Sequence, residues 1–488
     1  MKNQAYQPLL QELKGIVGAD HVLTAPEERH VYGYDASVYR GTDVTAVALP
    51  ETTEEVAGLV TAAHRAGLPV IARGAGTGIN GGALPQGECL VIVLSRMNKV
   101  LAVEPENRVA VVQPGVINQD LKTHLNGLGY GFTYVPDPGS QVVSTIGGNV
   151  GNNAGGMHCL KYGVTVNHIL GLEIVLPDGQ IVRTGGKTPG HPGMDLTGLF
   201  VGSEGTLGVI TEITLRILPL PERVVTQLAV FPSVTAAANT VSGIMAAGML
   251  PAALELLDKK MLQLVDRFVN IGFPPEAGAA LLIEMDGLND GMDAELRRVA
   301  EICQANDAVE IETAETEEEA AKLWLSRRAA YPVMARVSPT VYVIDCCVPR
   351  NRLAEAMENI VSICQRRGLD VVNLAHAGDG NIHPLIPFDQ NNRESREQAI
   401  GAHHEVMELC VSMGGSITGE HGVGVEKQDE IELMYTPEEM EAMFAVKLAL
   451  DAEDRFNPRK IFPLRFFPKA KDGERALSMA ELDQVAQP

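Results

Sequence analysis

Tryptophan occurs once in the 488 residues, aromatic residues make up 5% of the chain, and none of the seven cysteines belongs to a CxxC pair. Cys89, Cys159, Cys303, Cys346, Cys347, Cys364 and Cys410 form an odd, scattered set that fits neither a disulfide framework nor an iron–sulfur cluster. If the protein moves electrons, another group carries them. Cys346 and Cys347 lie in VYVIDCCVP, an apolar run that reads as a strand with buried structural thiols. Positive charge is also scarce: 39 Lys and Arg stand against 62 Asp and Glu, a formal charge of -23 with no basic run, which argues against a nucleic-acid or anionic-membrane surface. No apolar run approaches the roughly 20 residues of a membrane helix. The opening MKNQAYQPLLQELKGIVG reads as a short amphipathic helix rather than a signal peptide. The expectation is a cytoplasmic protein without direct membrane insertion.

What is present in quantity is hydrophobic content, 45%, and glycine, 49 residues. A chain of this length with that much apolar material exceeds one ordinary core, so two large domains are expected. Residues 45 to 115 alternate short strands with helices, one of them from Thr53 to Ala66. GSQVVSTIGGNVGNNAGG, from Gly139 to Gly156, reads as too glycine-rich for a stable helix, and ILGLEIVLPDGQIVRTG as a hairpin turning at Asp178-Gly179. After Pro219 the composition changes. Strands in TQLAVF, AALLIEMDG and VYVIDCCVP are separated by helices at Val234–Ala247, Asp293–Asn306 and Leu353–Arg367, a pattern suited to an antiparallel sheet with helices on one face. A last helix, Pro437–Leu450, leads into RFNPRKIFP and a charged tail.

The glycines cluster in loops. Gly76-Thr-Gly-Ile-Asn-Gly81 matches G-x-G-x-x-G after the strand PVIAR, but Gly82-Ala83-Leu84-Pro85 follows, so no helix opens there and the nicotinamide fingerprint is incomplete. The residues then leave two readings, a pyrophosphate loop built from backbone amides or a plain surface turn. PDPGSQVVSTIGGNVGNNAGGMHCLKYG adds amides and hydroxyls along a surface long enough for an extended cofactor, and LFVGSEGTLGVITEITLRILP closes this half of the chain.

These three segments in this order, with AHAGDGNIHPLI and GSITGEHGVGVEK further on, resemble the vanillyl-alcohol oxidase and p-cresol methylhydroxylase superfamily, in particular its glycolate oxidase and D-lactate dehydrogenase branch. The resemblance spans nearly the whole chain. It implies an α+β architecture: an FAD-binding domain of the p-cresol methylhydroxylase type over residues 1–220, a substrate-binding cap over 221–415 with an antiparallel sheet covered by helices, a segment 416–470 returning to the FAD domain, and a tail 471–488. It further implies that Arg73, Gly74, Ala75, Gly76, Thr77, Gly78, Gly81 and Gly82 hold the pyrophosphate. Pro136, Asp137, Gly139, Ser140, Ser144, Thr145, Gly147, Gly148, Asn149, Asn152, Ala154 and Gly155 are implied to line the flavin and ribityl chain, Gly208, Val209 and Ile210 to meet the adenine end, and Asn457 to close over the flavin. No histidine stands between Gly74 and Gly82, where some relatives attach FAD covalently, so noncovalent FAD is expected. Arg459 departs from the Asn-Pro-Gly-Lys usual in similar proteins.

Twelve histidines are present, two of them in NLAHAGDGNIHPLI. A two-residue turn at Asp379-Gly380 would set His376 directly opposite His383, both on one face with Cβ atoms roughly 5 Å apart. On the residues alone they are either the ligands of one ion or a pair of sheet histidines. In related 2-hydroxy-acid dehydrogenases the corresponding His, His and Glu bind a divalent metal (zinc, iron or manganese) and the adjoining His is the base. That resemblance implies His376, His383 and Glu420 as ligands and His421 as base, a set that leaves open positions on the ion. It implies Arg327, in LWLSRRAAYP, as the cation for the substrate carboxylate, with Arg328 as a neighbouring substitute. Val343 stands where 2-hydroxyglutarate enzymes place a lysine, which favours a small monocarboxylate. The expected activity is oxidation of a small D-2-hydroxy acid, glycolate or D-lactate, with electrons leaving to an iron–sulfur partner subunit or an electron-transferring flavoprotein. A non-catalytic flavin-binding subunit is the rival reading.

Overall fold

The computed structural model describes residues 6–42, 44–188, 190 and 192–467, so the tail 471–488 lies outside the described residues. The chain divides into two compact units, one of residues 1–155, 164–220 and 420–488, the other of 156–163 and 221–419. Residues 156–163, read from the sequence as part of the glycine-rich run, thus group with the second unit.

The first unit holds two principal sheets. In the smaller, Ala46–Ala48 and Val70–Arg73 both run parallel to Leu90–Val93, and Val22–Leu23 pairs antiparallel with Ala46–Ala48. Its central strand, LVIV, is buried at every position, as expected for a strand covered on both faces. The helix Thr53–Arg65 begins where the Thr52 hydroxyl accepts the Glu55 amide, and it buries Val56, Leu59, Val60 and Ala63, which share a core with Leu9, Leu10 and Leu13 of the helix Gln7–Val17. The second sheet is antiparallel in the order Val100–Glu104, Val109–Val112, Val209–Arg216, Ile169–Val175, Ile181–Gly185. Its last two strands form the expected hairpin, with Gly179 at φ 86°. The C-terminal segment returns to the first sheet: Val70 and Phe456 form a parallel bridge, and the Asn457 amide donates to the Val70 carbonyl.

One glycine-rich stretch differs from its reading. Ile146–Asn152 is a helix, started by the Thr145 hydroxyl accepting the Gly148 amide. Three glycines in seven residues disfavour it locally, but Ile146 and Val150 enter the core with Val112, Val116 and Ile174. Tertiary burial outweighs the roughly 1 kcal/mol per glycine.

The second unit is built on an eight-stranded antiparallel sheet, ordered Glu310–Thr313, Arg223–Phe231, Ala279–Gly287, Ala253–Asp258, Val372–His376, Asn381–Phe388, Thr340–Val343, with Cys346–Cys347 also paired to Asn381–Phe388. One face packs Leu228, Val230, Leu257, Leu282, Leu374 and Leu385 against Met261, Leu262 and Val265 of the helix Lys259–Val269, and against Leu323, Trp324, Val333 and Met334. The helix Val234–Ala246 contacts three of the same strands without joining that core, so it covers the opposite face. Helices therefore lie on both faces rather than one.

Candidate active site

In the first unit the glycine loops are built for close approach. A Cβ on Gly74 would stand 2.3 Å from the Thr145 hydroxyl, and one on Gly147 2.5 Å from Pro114, so the first and second glycine segments meet where no side chain fits. Gly76 and Gly81 have φ of 72° and 74°, backbone that favours glycine. Arg73 Nη1, Ser144 Oγ and Asn149 Nδ2 are buried and have no hydrogen-bond partner among the described residues. Such atoms are normally satisfied, so a polar ligand lying along these loops fits them. Gly208 would strike Ile174 and the Val175 carbonyl if it carried a Cβ. Val209 and Ile210 are buried in the two cores and pair with Val175 and Ile174 of the neighbouring strand. Pro136 offers its carbonyl to Asn118, Ser140 its carbonyl to the amides of Val143 and Ser144, and Ala154 its carbonyl to Thr165. Asp137 is buried.

The same unit anchors the turn that carries His421. Glu204, buried, accepts the amides of Val423 at 2.8 Å and Gly424 at 3.1 Å on one oxygen and the Asn80 side chain at 3.1 Å on the other. Burial pushes its carboxyl up, and the two amides act in the opposite direction. Asn152 donates at 2.9 Å to the His421 carbonyl, and Asn457 donates to the carbonyls of Gly82 and Glu204. The side chains of Asn152 and Asn457 thus fasten loops together. Gly422 and Gly424 have positive φ, and a Cβ on either would run into Glu204 or Asn80.

In the second unit, His376 and His383 come together with ring centroids 5.0 Å apart and planes at 86°. The register differs from the expected one: His376 pairs with Asn381 and His383 with Leu374, so the imidazoles are diagonal neighbours, not direct opposites. The cause lies in the turn. The amides of Ala377 and Gly378 donate to the Leu254 carbonyl instead of continuing the hairpin, and the Asp379 amide closes onto the His376 carbonyl, which leaves residues 377–380 as a four-residue loop. A shift of two residues preserves the face, because side chains alternate with period two.

Two buried carboxylates missed in the sequence stand beside these rings. Glu255 lies opposite His376 in the neighbouring strand, and its oxygens take His376 Nδ1 at 2.7 Å and Arg327 Nε at 2.6 Å. Asp345 accepts the Thr418 hydroxyl at 2.6 Å and the Gly419 amide at 2.9 Å, with its other oxygen 3.9 Å from His383 Nδ1. A Cβ on Gly419 would meet the Asn381 amide at 2.3 Å. Arg327, predicted to hold a substrate carboxylate, therefore already has its Nε on Glu255, while Arg328 lies over the Trp324 ring. Glu284, on the same sheet face, accepts His158 and the Trp324 indole, each at 2.8 Å, and so ties residues 156–163 to this unit. Val343 pairs with Leu385 and shares the face of His383. The signal for the missed residues was present: an acid in an apolar strand, as in AALELLD, AALLIEMDG and VYVID, needs a buried partner.

The family described as FAD linked oxidases, C-terminal domain, matches residues 220–461, and the FAD binding domain matches residues 44–185. A glycolate oxidase subunit of Bacillus subtilis is 40% identical over 453 residues, 93% of this chain and 96% of that protein. The chain belongs to the FAD-linked oxidases. A D-lactate dehydrogenase of Archaeoglobus fulgidus is 34% identical over 429 residues, 86% of this chain and 92% of its own length. The fold of p-cresol methylhydroxylase, solved with substrate bound, superimposes with a TM-score of 0.79 at 17% identity, covering 95% of this chain and 98% of that one. This FAD-linked oxidase therefore has the fold expected, and among its described residues no helix is long and apolar enough to cross a membrane.

Proposed function

We propose that this FAD-linked oxidase converts a small D-2-hydroxy acid, glycolate or D-lactate, to the 2-oxo acid in the cytoplasm. The observation that carries the reading is the pair His376 and His383 on one sheet face, with a buried carboxylate tying His376 to Arg327. Full-length similarity to glycolate oxidase subunits and D-lactate dehydrogenases supports it. His376 and His383 supply two nitrogen ligands to a divalent ion of zinc, iron or manganese. Glu420, one peptide bond beyond Gly419, supplies the oxygen ligand. The glycine loops would hold noncovalent FAD, which would supply a two-electron acceptor, and a bound ion would supply Lewis acidity.

The chain's own tasks are positioning and proton removal. Arg327 holds the substrate carboxylate through its terminal nitrogens, a charge-assisted contact whose direction Glu255 sets from behind. His421 takes the hydroxyl proton. Val343 carries no charge at the position where 2-hydroxyglutarate enzymes place a lysine, which favours monocarboxylates. Electrons then leave to a partner, an iron–sulfur subunit or an electron-transferring flavoprotein. Steady-state assays with an artificial electron acceptor and a panel of 2-hydroxy acids test the reading: 2-oxo acid must form from glycolate or D-lactate and less readily from dicarboxylates. A protein that binds FAD and yields no 2-oxo acid from any of them is a non-catalytic flavin subunit.

A further inference from the structure

Glu255 occupies an unusual place. It lies in the apolar strand Ala253–Asp258, its side chain is entirely buried, and both oxygens are engaged. Its pairing with the Arg327 guanidinium at 2.6 Å makes Glu255 a hydrogen-bond acceptor, and accepting from His376 Nδ1 at 2.7 Å as well places the ring proton on that nitrogen. Nε2 is then the ring nitrogen with a lone pair, and it points away from Glu255. The other oxygen fixes Arg327 through Nε, which lies in the rigid guanidinium plane.

We infer that Glu255 is a positioning residue that sets the His376 tautomer for metal binding and, through the same carboxylate, the plane of Arg327. The inference rests on His376 being a ligand, as proposed above. A carboxylate that orients a ligand imidazole typically contributes 10–100-fold to metal affinity. Glutamine cannot replace it: an amide has one acceptor oxygen and one donor nitrogen, so it cannot accept from both His376 and Arg327. If its nitrogen faces the ring, the imidazole proton moves to Nε2, where an ion would bind.

The test uses the FAD-loaded protein, stripped of metal and titrated with zinc alone against a chromophoric chelator. Glu255→Gln is expected to keep its flavin and to bind zinc about 10–100-fold more weakly. Glu255→Asp, which keeps the charge but withdraws it by one methylene, is expected to fall between the two, and it carries the test if the glutamine variant does not fold. A lower melting temperature with unchanged zinc affinity in the folded variant assigns Glu255 a structural role and overturns the inference. His376→Ala and His383→Ala separate the two levels. If these variants lose zinc while Glu255→Gln and Glu255→Asp retain wild-type affinity, only the role of Glu255 is wrong. If all of them bind zinc as the wild type does, or the wild type binds none, the metal site fails and the inference with it.

Discussion

The side-chain amide of Asn152 donates a 2.9 Å hydrogen bond to the backbone carbonyl of His421. Together with the Glu204 carboxylate on the next amides, it holds the turn by main-chain atoms, so the imidazole can be changed without releasing the loop. His421→Asn is accordingly expected to keep metal and FAD while slowing flavin reduction by roughly 10²–10⁴-fold, the usual loss with a general base. Glu420→Gln should instead bind metal weakly and recover part of its rate on metal addition. Metal analysis beside stopped-flow flavin reduction reads both, and loss of metal from His421→Asn would make that residue a ligand rather than a base.

His376 and His383 belong to one compact unit and the glycine loops to the other. His376→Ala and His383→Ala should therefore lose metal and substrate-dependent flavin reduction with an unchanged flavin spectrum. Loss of FAD from either variant would indicate general misfolding and contradict this separation.

Arg459 has φ 59°, a left-handed conformation that costs a residue with a side chain roughly 1–2 kcal/mol. Its carbonyl accepts Gln428 at 2.7 Å and its amide donates to Asp454 at 3.2 Å, and both are backbone contacts that glycine keeps. Arg459→Gly relieves the strain but gains freedom in the unfolded chain, about 0.4–1 kcal/mol in the other direction. A net stabilisation of up to about 1.6 kcal/mol is expected in denaturant unfolding. A clear destabilisation would mean that the arginine side chain makes contacts worth more than the strain.

Lys460 is buried and donates to the Leu84 carbonyl at 2.8 Å; burial pushes its ammonium down to about 8, against 10.5 for an ordinary lysine. The nearby carboxylates of Asp35 and Glu204 only partly oppose this. Between these two values the unfolded chain retains a proton that the folded chain has released, so the cost of burying the ammonium, fully present below about 8, is relieved and stability rises with pH across that window. The slope is bounded by about 1.4 kcal/mol per pH unit. Lys460→Met should remove this slope. Parallel stability curves for wild type and variant from pH 8 to 10 would show that the lysine does not titrate there.

The parts legible in the sequence were those set by local pattern. The helix Pro437–Leu450 has the predicted bounds, with proline at its start and a Thr436 cap, and the helix from Thr53 ends within one residue of its expected place. The common face of His376 and His383 followed from strand alternation. Their exact pairing did not, because Leu254, more than a hundred positions earlier in the chain, takes the Gly378 amide that a two-residue turn would have used. The helix at Ile146 was hidden for a similar reason: its glycines argue against it, and the burial of Ile146 and Val150 that pays for it is tertiary. Glu255 and Arg327 are 72 residues apart, so only the fold reveals that the arginine's Nε is already engaged.

The most direct test of the proposed chemistry is anaerobic flavin reduction in a single turnover, followed optically with glycolate and with D-lactate before metal removal, after it and after restoration. Bleaching by at least one of these acids, lost with the metal and regained with it, and with intact FAD released by acid afterwards, is the expected result. Equal bleaching with and without metal would contradict the role given to His376, His383 and Glu420. No bleaching by any 2-hydroxy acid in the metal-replete protein would contradict the proposed activity itself.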